Sequence, residues 1–184
     1  MAYLGGDLRF TERCRHYAPA MTDSMTDSMN DPPDTVTVEQ IIAAPPEAIF
    51  ALLTDPARHR DIDGSGTVRD VKGDSARLEL GRVFGMSMRL GIPYSMVSTV
   101  VEYEENRLLA WQTRGPGCIG KRVGGRIWRY VLEPVEGGTL VRETWDITHE
   151  SAITKPLVRR GRNDARKNMA ATLRRIEGIV AASS

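Results

Sequence analysis

Charged side chains occupy positions of predicted strands where apolar residues are expected. Arg82 interrupts an alternating apolar series, and Glu143 lies between Val141 and Trp145 on one face of its strand. A charge that faces a protein interior is costly unless it is paired or used. The two residues therefore predict either a site, in which the arginine holds an oxyanion and the glutamate moves a proton, or an internal ion pair.

Three further polar residues on predicted strands extend this candidate set: Arg126, Tyr130 and Tyr94. Arg126 precedes Trp128 and Tyr130 at alternate positions of one strand, so all three share a face if the strand is regular. An arginine would hold a carboxylate, phosphate or enolate, while Glu143 or a tyrosine would transfer the proton. Strand-end residues that reach solvent are the alternative. The candidate catalytic residues from this pattern are Arg82, Tyr94, Tyr130 and Glu143.

A glycine-rich segment from Gly115 to Arg122, GPGCIGKR, satisfies the pattern Gly-x-Gly-x-x-Gly. A phosphate-binding loop of this kind needs a helix directly after it, and a P-loop needs Ser or Thr where Arg122 stands. The residues from Arg126 to Leu132 instead alternate at period two, which is typical of a strand. We therefore expect a connection between strands, with at most an unspecific anion contact.

The histidines and acidic pairs do not predict a metal site. His16, His59 and His149 have no carboxylate at a revealing spacing, and we expect them on the surface. Asp61 and Asp63 precede Gly-Ser-Gly and could begin a metal loop, but two carboxylates there are more typical of a turn. We expect neither a metal nor a cofactor.

The composition is that of an ordinary globular chain. Its 184 residues include 25 Lys or Arg and 24 Asp or Glu, so no global charge excess indicates nucleic acid or an anionic membrane. Cys14 and Cys118 cannot form a disulfide framework, which favours a reducing cytoplasm. No segment approaches the roughly 20 apolar residues of a membrane span.

The first 34 residues differ from the rest of the chain. Met-Thr-Asp-Ser occurs twice in succession there, and the segment is poor in residues that could pack. We predict that residues 1–34 form a disordered tail. Alternatively, translation begins at Met21, Met25 or Met29 and the residues before it are not made.

Ordered elements are expected from Thr35 onward. A β-branched strand is followed by a helix over 46–54 and a second short helix that Asp55 and Pro56 begin. Period-two alternation predicts strands at about 78–90, 94–103, 107–113, 125–134 and 139–148. The last helix carries an apolar stripe formed by Ala165, Met169, Leu173, Ile176 and Val180. The order predicts an α+β fold, in which a curved antiparallel sheet of six to seven strands wraps on the long C-terminal helix.

This arrangement, with APPEAIFALLTDPAR at 44–58 and RIWRYVLEPVEGGT at 126–139, resembles the SRPBCC or START-like superfamily. Within it, the chain is most similar to the polyketide cyclase/dehydrase-like proteins. The resemblance covers residues 35–182 as one domain. It implies a helix-grip fold, whose cavity between the sheet and the last helix holds an apolar or amphipathic small molecule.

The resemblance supports binding of a hydrophobic, polyketide-like or lipid-like molecule in that cavity. The alternative is a cyclase or dehydratase that acts there, with the polar set guiding an aldol-type condensation or water loss. Methionines line irregular apolar pockets well, although they also simply fill cores. The candidate ligand-binding residues are Phe84, Met86, Met88, Met96, Trp111, Trp128, Trp145, Met169 and Leu173.

Although the net charge of the chain is close to zero, one segment near its C-terminal end is strongly basic. Residues 155–175 contain eight Lys or Arg and one acid, Asp164. Peripheral binding to a membrane or another anionic partner through this helix is therefore a second alternative. A solvated charged face is the favoured explanation, and the lack of interleaved aromatic residues argues against a single-stranded nucleic acid partner.

Overall fold

A computed structural model describes residues 32–73 and 75–183 of the chain. Within these residues, seven strands form one antiparallel sheet with the order β1-β7-β6-β5-β4-β3-β2. The strands are β1 (Thr35–Ile42), β2 (Val68–Lys72), β3 (Val83–Leu90), β4 (Ile92–Glu104), β5 (Leu108–Arg114), β6 (Gly124–Val135) and β7 (Gly138–Asp146).

Helices connect the strands and cover the inner face of the sheet. Between β1 and β2 the chain forms α1 (Pro46–Thr54), a 3-10 turn (Pro56–Arg58) and α2 (His59–Ile62). After β7 follow α3 (Lys155–Arg160) and α4 (Arg162–Ala181). The predicted helix-grip architecture is confirmed. The predicted cap is also present, because the Asp55 carboxylate accepts a hydrogen bond of 2.9 Å from the Ala57 N–H.

The predicted apolar stripe of α4 is buried along its whole length. Ala165 and Met169 belong to a cluster with Trp145 at one end of the helix. Leu173, Ile176 and Val180 belong to the main core, which includes residues of α1 and of most strands. Burying each large apolar side chain contributes about 1.5 to 3 kcal/mol, so this stripe fixes α4 against the sheet.

The alternation from Leu78 onward does not mark one continuous strand. Residues 75–82 are not strand, and the Arg82 N–H donates a hydrogen bond of 3.0 Å to the Glu79 carbonyl across a turn. Leu80 is consequently 66% exposed rather than part of an apolar face. The sequence pattern also misses β2, because this edge strand carries Arg69, Asp70 and Lys72, and charged residues are common on edges.

The N-terminal boundary differs slightly from the predicted one. Residues 1–31, which make up most of the predicted tail and include its alternative starts, lie outside the described residues. Asp34 is in contact with the domain: its carboxylate is 2.8 Å from the Lys155 ammonium and 2.5 Å from the Arg159 guanidinium. Two of the basic residues near the start of the last helical segment are therefore ion-paired.

The glycine-rich segment joins β5 to β6 through a 3-10 helix (Gly117–Lys121), as predicted for a connection between strands.

Among the helices that the structure describes, none is long and apolar enough to cross a membrane.

The turn at 63–66 attaches α2 to α4. The Asp63 carboxylate accepts hydrogen bonds from the Ser65 N–H at 3.0 Å and the Val68 N–H at 2.8 Å, which confirms the predicted turn. No group of three metal-ligating side chains occurs among the described residues. The Gly64 N–H donates to the Thr172 hydroxyl at 3.0 Å, and a Cβ on Gly64 would lie 2.0 Å from the Asn168 carbonyl oxygen.

We expect Gly64→Ala to destabilise the protein, because the added methyl meets the rigid backbone of α4. The free energy of unfolding should fall by about 1 to 3 kcal/mol, as for other overpacked sites. Denaturant unfolding followed by circular dichroism measures this change.

Gly178→Ala is the matched control on α4. A Cβ at Gly178 meets nothing within 4 Å, so alanine should raise the stability by up to about 1 kcal/mol through helix propensity. An unchanged stability of Gly64→Ala would show that the turn does not rest on α4.

Candidate functional site

The inner face of the sheet carries two neighbouring rows of large side chains. Residues that are direct partners across antiparallel strands point to the same face. Trp111 of β5 lies opposite Trp128 of β6, which in turn lies opposite Trp145 of β7. In the next row Tyr130 lies opposite Glu143. The register therefore places a carboxyl group beside a row of aromatic side chains on the inner face of the sheet.

Tyr130 and Glu143 form a buried hydrogen-bonded pair. The Tyr130 hydroxyl donates to Glu143 Oε1 at 2.7 Å, and the two residues are 4% and 2% exposed. Their neighbours in the same row, Val38 of β1 and Leu109 of β5, are apolar. Glu143 Oε2 is buried and has no hydrogen-bond partner among the described residues. The site thus holds one buried oxygen atom that is available for a further hydrogen bond.

Burial raises the pKa of Glu143 to about 8, because water no longer solvates its charge. The Tyr130 hydrogen bond lowers this pKa, and the negative charge of Asp63 raises it. Burial, together with the neighbouring Glu143 carboxyl group, raises the pKa of Tyr130 well above its ordinary value. At neutral pH both groups are therefore mainly protonated, and Glu143 can donate a hydrogen bond from Oε2.

Glu102 on the same sheet shows what the site lacks. Its carboxylate accepts a hydrogen bond of 2.9 Å from the Arg129 guanidinium, which lowers the pKa of Glu102. No lysine or arginine of the described chain pairs with Glu143. The same side chain is thus held as an anion at one position and as a neutral acid at the other.

His59 adds an aromatic wall to this site. Its ring stacks on Trp111 at a centroid distance of 5.2 Å, and Trp111 stacks on Tyr130 at 5.5 Å. Phe84 makes edge contacts with two rings of this stack, His59 at a centroid distance of 5.6 Å and Trp111 at 6.0 Å. His59 Nε2 lies 2.8 Å from the Leu53 carbonyl, and burial lowers the pKa of His59. A neutral imidazole that donates from Nε2 fits both observations.

The predicted surface position of His59 is therefore wrong, whereas His149 is exposed as expected. His59 and Ile62 are three residues apart, so they share one side of the short α2, and both are buried. That spacing was the signal in the sequence. His16 lies outside the described residues.

The other nominated polar residues lie apart from the buried pair. Arg82 lies in the turn before β3, and Tyr94 lies opposite Met88 in the β3–β4 hairpin, 38% exposed. The contact that joins Tyr130 to Glu143 includes neither of them.

Arg126 follows the ion-pair alternative, but with a partner that the sequence pattern did not indicate. Its guanidinium Nε lies 3.3 Å from the carboxylate of the buried Glu150. Glu150 Oε1 also accepts hydrogen bonds from the Gly124 N–H at 3.1 Å and the Thr154 hydroxyl at 2.6 Å. Arg126 therefore helps to hold the segment between β7 and α3.

The candidate ligand-binding residues divide between two parts of the interior. Phe84, Met86, Met88, Trp111 and Leu173 belong to or pack against the main core, while Trp128, Trp145 and Met169 form the cluster at the start of α4. Met96 is half-buried opposite Met86. These side chains fill the inner face, so a ligand there has to displace some of them.

Two open clefts lie away from the buried pair. One of about 490 Å³ lies at the β3–β4 hairpin and includes Ser87, Met88 and Tyr94, and another of about 400 Å³ includes Thr99 and Gln112. Met88 and Tyr94, two of the candidate residues, therefore line an open cleft, whereas the buried pair lines neither.

Several solved structures share this fold. Protein CV1439 from Chromobacterium violaceum superposes with a TM-score of 0.63 at 14% identity, covering 81% of this chain and 98% of that one. An AHSA1-like protein from Aeromonas hydrophila has a TM-score of 0.55 at 19% identity, covering 79% of this chain and 93% of its own. At these identities the likeness shows the fold alone.

A curated relative is closer in sequence. Protein Rv0088 of Mycobacterium tuberculosis is 36% identical over 138 residues, which are 73% of this chain and 58% of that protein. The chain thus spans less than two thirds of the length of this relative. The model of the family described as "Polyketide cyclase / dehydrase and lipid transport" matches residues 33–180. The predicted family is confirmed, and the chain belongs to the polyketide cyclase/dehydrase and lipid transport family.

Proposed function

We propose that the protein binds an apolar small molecule between the sheet and α4, with a carbonyl oxygen of the ligand at Glu143 Oε2. The single observation that carries this proposal is a carboxyl group that is 2% exposed and has one oxygen without a hydrogen-bond partner. A buried polar atom without a partner costs free energy, which a bound hydrogen-bonding group recovers.

The protonation state of the pair selects the kind of ligand. A carboxyl group with a pKa of about 8 carries its proton at neutral pH and donates it in a hydrogen bond. It therefore favours a ketone, ester or other acceptor over an anion, because an anionic group would meet the negative field of Asp63 in an apolar environment.

The walls of the site suit a flat or flexible apolar body. The stacked rings of His59, Trp111 and Tyr130 offer planar surfaces. Met86 and Met88 can change rotamer to admit a ligand, since methionine is unbranched. An aromatic ketone of the polyketide type matches both properties, and a lipid with a carbonyl group matches the second.

Catalysis of cyclisation or dehydration in the same interior is a second candidate. A carboxylic acid whose pKa lies near the working pH is an effective general acid. Glu143 would give its Oε2 proton to the hydroxyl group that leaves as water, and the resulting carboxylate would then take the proton that the adjacent carbon loses. Tyr130 would stabilise the resulting carboxylate through its hydrogen bond to Oε1.

The setting we propose for this function is the cytoplasm. Cys118 is a free, exposed thiol, as expected in a reducing compartment. The proposed partner is a small molecule, and no observation favours a nucleic acid.

A matched pair of ligands tests the binding proposal. 2-Acetylnaphthalene and 2-ethylnaphthalene have similar shapes, but only the first has a carbonyl group. We expect the protein to bind the ketone about tenfold more tightly, the value of one net hydrogen bond. Quenching of tryptophan fluorescence measures both affinities.

Glu143→Leu should remove the preference for the ketone and leave binding of the ethyl compound intact. Glu133→Leu, on the exposed end of β6, is the control and should keep the preference. If the protein binds neither compound, the proposed function is contradicted. If Glu143→Leu prefers the ketone as strongly as the unaltered protein does, the role of Glu143 is contradicted.

We also expect a pH-dependent contribution of Glu143 to stability. The unfolded chain loses this proton at its ordinary pKa of 4.5, whereas the folded protein keeps it to about pH 8. Relative to Glu143→Gln, the free energy of unfolding should therefore fall as the pH rises through this window. The slope should be at most about 1.4 kcal/mol per pH unit. Denaturant unfolding of both proteins at several pH values measures it, and a flat difference would contradict a neutral Glu143.

The enzymatic candidate predicts turnover of a poly-β-ketone substrate. Glu143→Gln keeps the shape but not the acid, so it should lower the rate of ring closure or water loss by about 100-fold or more. Chromatography of the products measures this rate. If turnover survives the substitution, Glu143 takes no part in the reaction. If the unaltered protein shows no turnover, the protein binds its ligand without catalysis.

A further inference from the structure

The strand register places three connections at one end of the sheet. Val97 of β4 lies opposite Arg114, the last residue of β5, and Asp146 at the end of β7 lies opposite Thr35, the first residue of β1. The β3–β4 hairpin, the β5–β6 connection and the β7–α3 segment therefore share this end. The hairpin tip at Ile92 extends five residues beyond Val97, or about 17 Å.

Exposed apolar side chains gather on these three segments. They are between 55% and 75% exposed, and we call them the apolar rim: Leu90, Ile92, Ile119, Ile153 and Leu157. Leu90 and Ile92 face each other across the tip of the hairpin. Soluble proteins expose single apolar residues routinely, but several at one end of a fold indicate a surface that contacts something apolar.

The three segments carry an excess of basic residues. Residues 88–98, 114–126 and 151–163 contain nine Lys or Arg and no Asp or Glu. Acidic side chains beside these segments have partners: Asp34 pairs with Lys155 and Arg159, Glu150 with Arg126 and Asp70 with Arg60, and Asp146 accepts a hydrogen bond from Thr148. Apolar tips surrounded by basic residues complement an anionic bilayer, where the tips enter the interface and the cations meet phosphates.

We propose that this end of the protein docks on the surface of a membrane rich in anionic phospholipids, with the apolar rim in the interface. The proposal differs from attachment through the basic face of α4, because it rests on the hairpin and loop tips. It is independent of what the interior binds.

Flotation with vesicles tests the proposal on the full chain. We expect binding to vesicles of phosphatidylcholine and phosphatidylglycerol at roughly 3:1, and weak binding to pure phosphatidylcholine. Raising the salt from about 0.1 M to about 0.5 M should weaken the binding, because it screens the phosphates. Failure to bind the anionic vesicles at low salt would overturn the proposal.

Variants locate the contact. Leu90→Glu combined with Ile92→Glu should weaken vesicle binding by about tenfold or more, since two charges would enter the interface. Leu80→Glu is the matched control, because Leu80 is 66% exposed but precedes β3 at the opposite end of that strand. Circular dichroism confirms that each variant folds.

Two results of this series would overturn the proposal. The first is equal vesicle binding by the hairpin variant and the control. The second is a dimer, seen by light scattering, that the hairpin variant dissociates without a change in vesicle binding, because the rim would then join two copies of the chain.

Discussion

A carboxyl group buried without a cation is the constraint around which the inner face of this protein is arranged. Glu143 receives one hydrogen bond, from Tyr130, and apolar neighbours surround the rest of it. Burial makes the ionised form costly, so the group keeps its proton at neutral pH. We propose that the free oxygen of this neutral acid binds or protonates a ligand. The protonation state and the proposed function thus both depend on a single position on β7.

The elements packed around Tyr130 and Glu143 explain how the carboxyl group is shielded from solvent. Trp111 and His59 stack above Tyr130, and α2, which carries His59, is attached to α4 through the turn at Gly64. Because a methyl group at Gly64 would meet the α4 backbone, this attachment is close. Admission of a ligand requires movement of side chains or of this turn, since the interior is packed with aromatic and methionine side chains.

The sequence predicts the scaffold better than the site. Helix α1 begins at Pro46 as expected, and the five apolar positions of α4 are all buried, because proline and a 3.6-residue period are strong local signals. Alternation along their strands predicts that Tyr130 and Glu143 each lie on an apolar face. Their contact depends on the register of β6 with β7, which the tight turn between Val135 and Gly138 fixes and the alternation within each strand does not. The burial of His59 and the pairing of Arg126 with Glu150 depend on how loops pack, and alternation across a turn misassigned Leu80 and Arg82 to a strand.

The proposed role of Glu143 requires that it is a neutral acid at neutral pH. The most direct measurement is the carbon-13 chemical shift of its side-chain carboxyl group as a function of pH, assigned by comparison with Glu143→Gln. We expect a signal that stays in the protonated position through pH 7 and titrates with a pKa of about 8. A signal that titrates near 4.5, the ordinary pKa of glutamate, would show that Glu143 is an anion and would contradict the account.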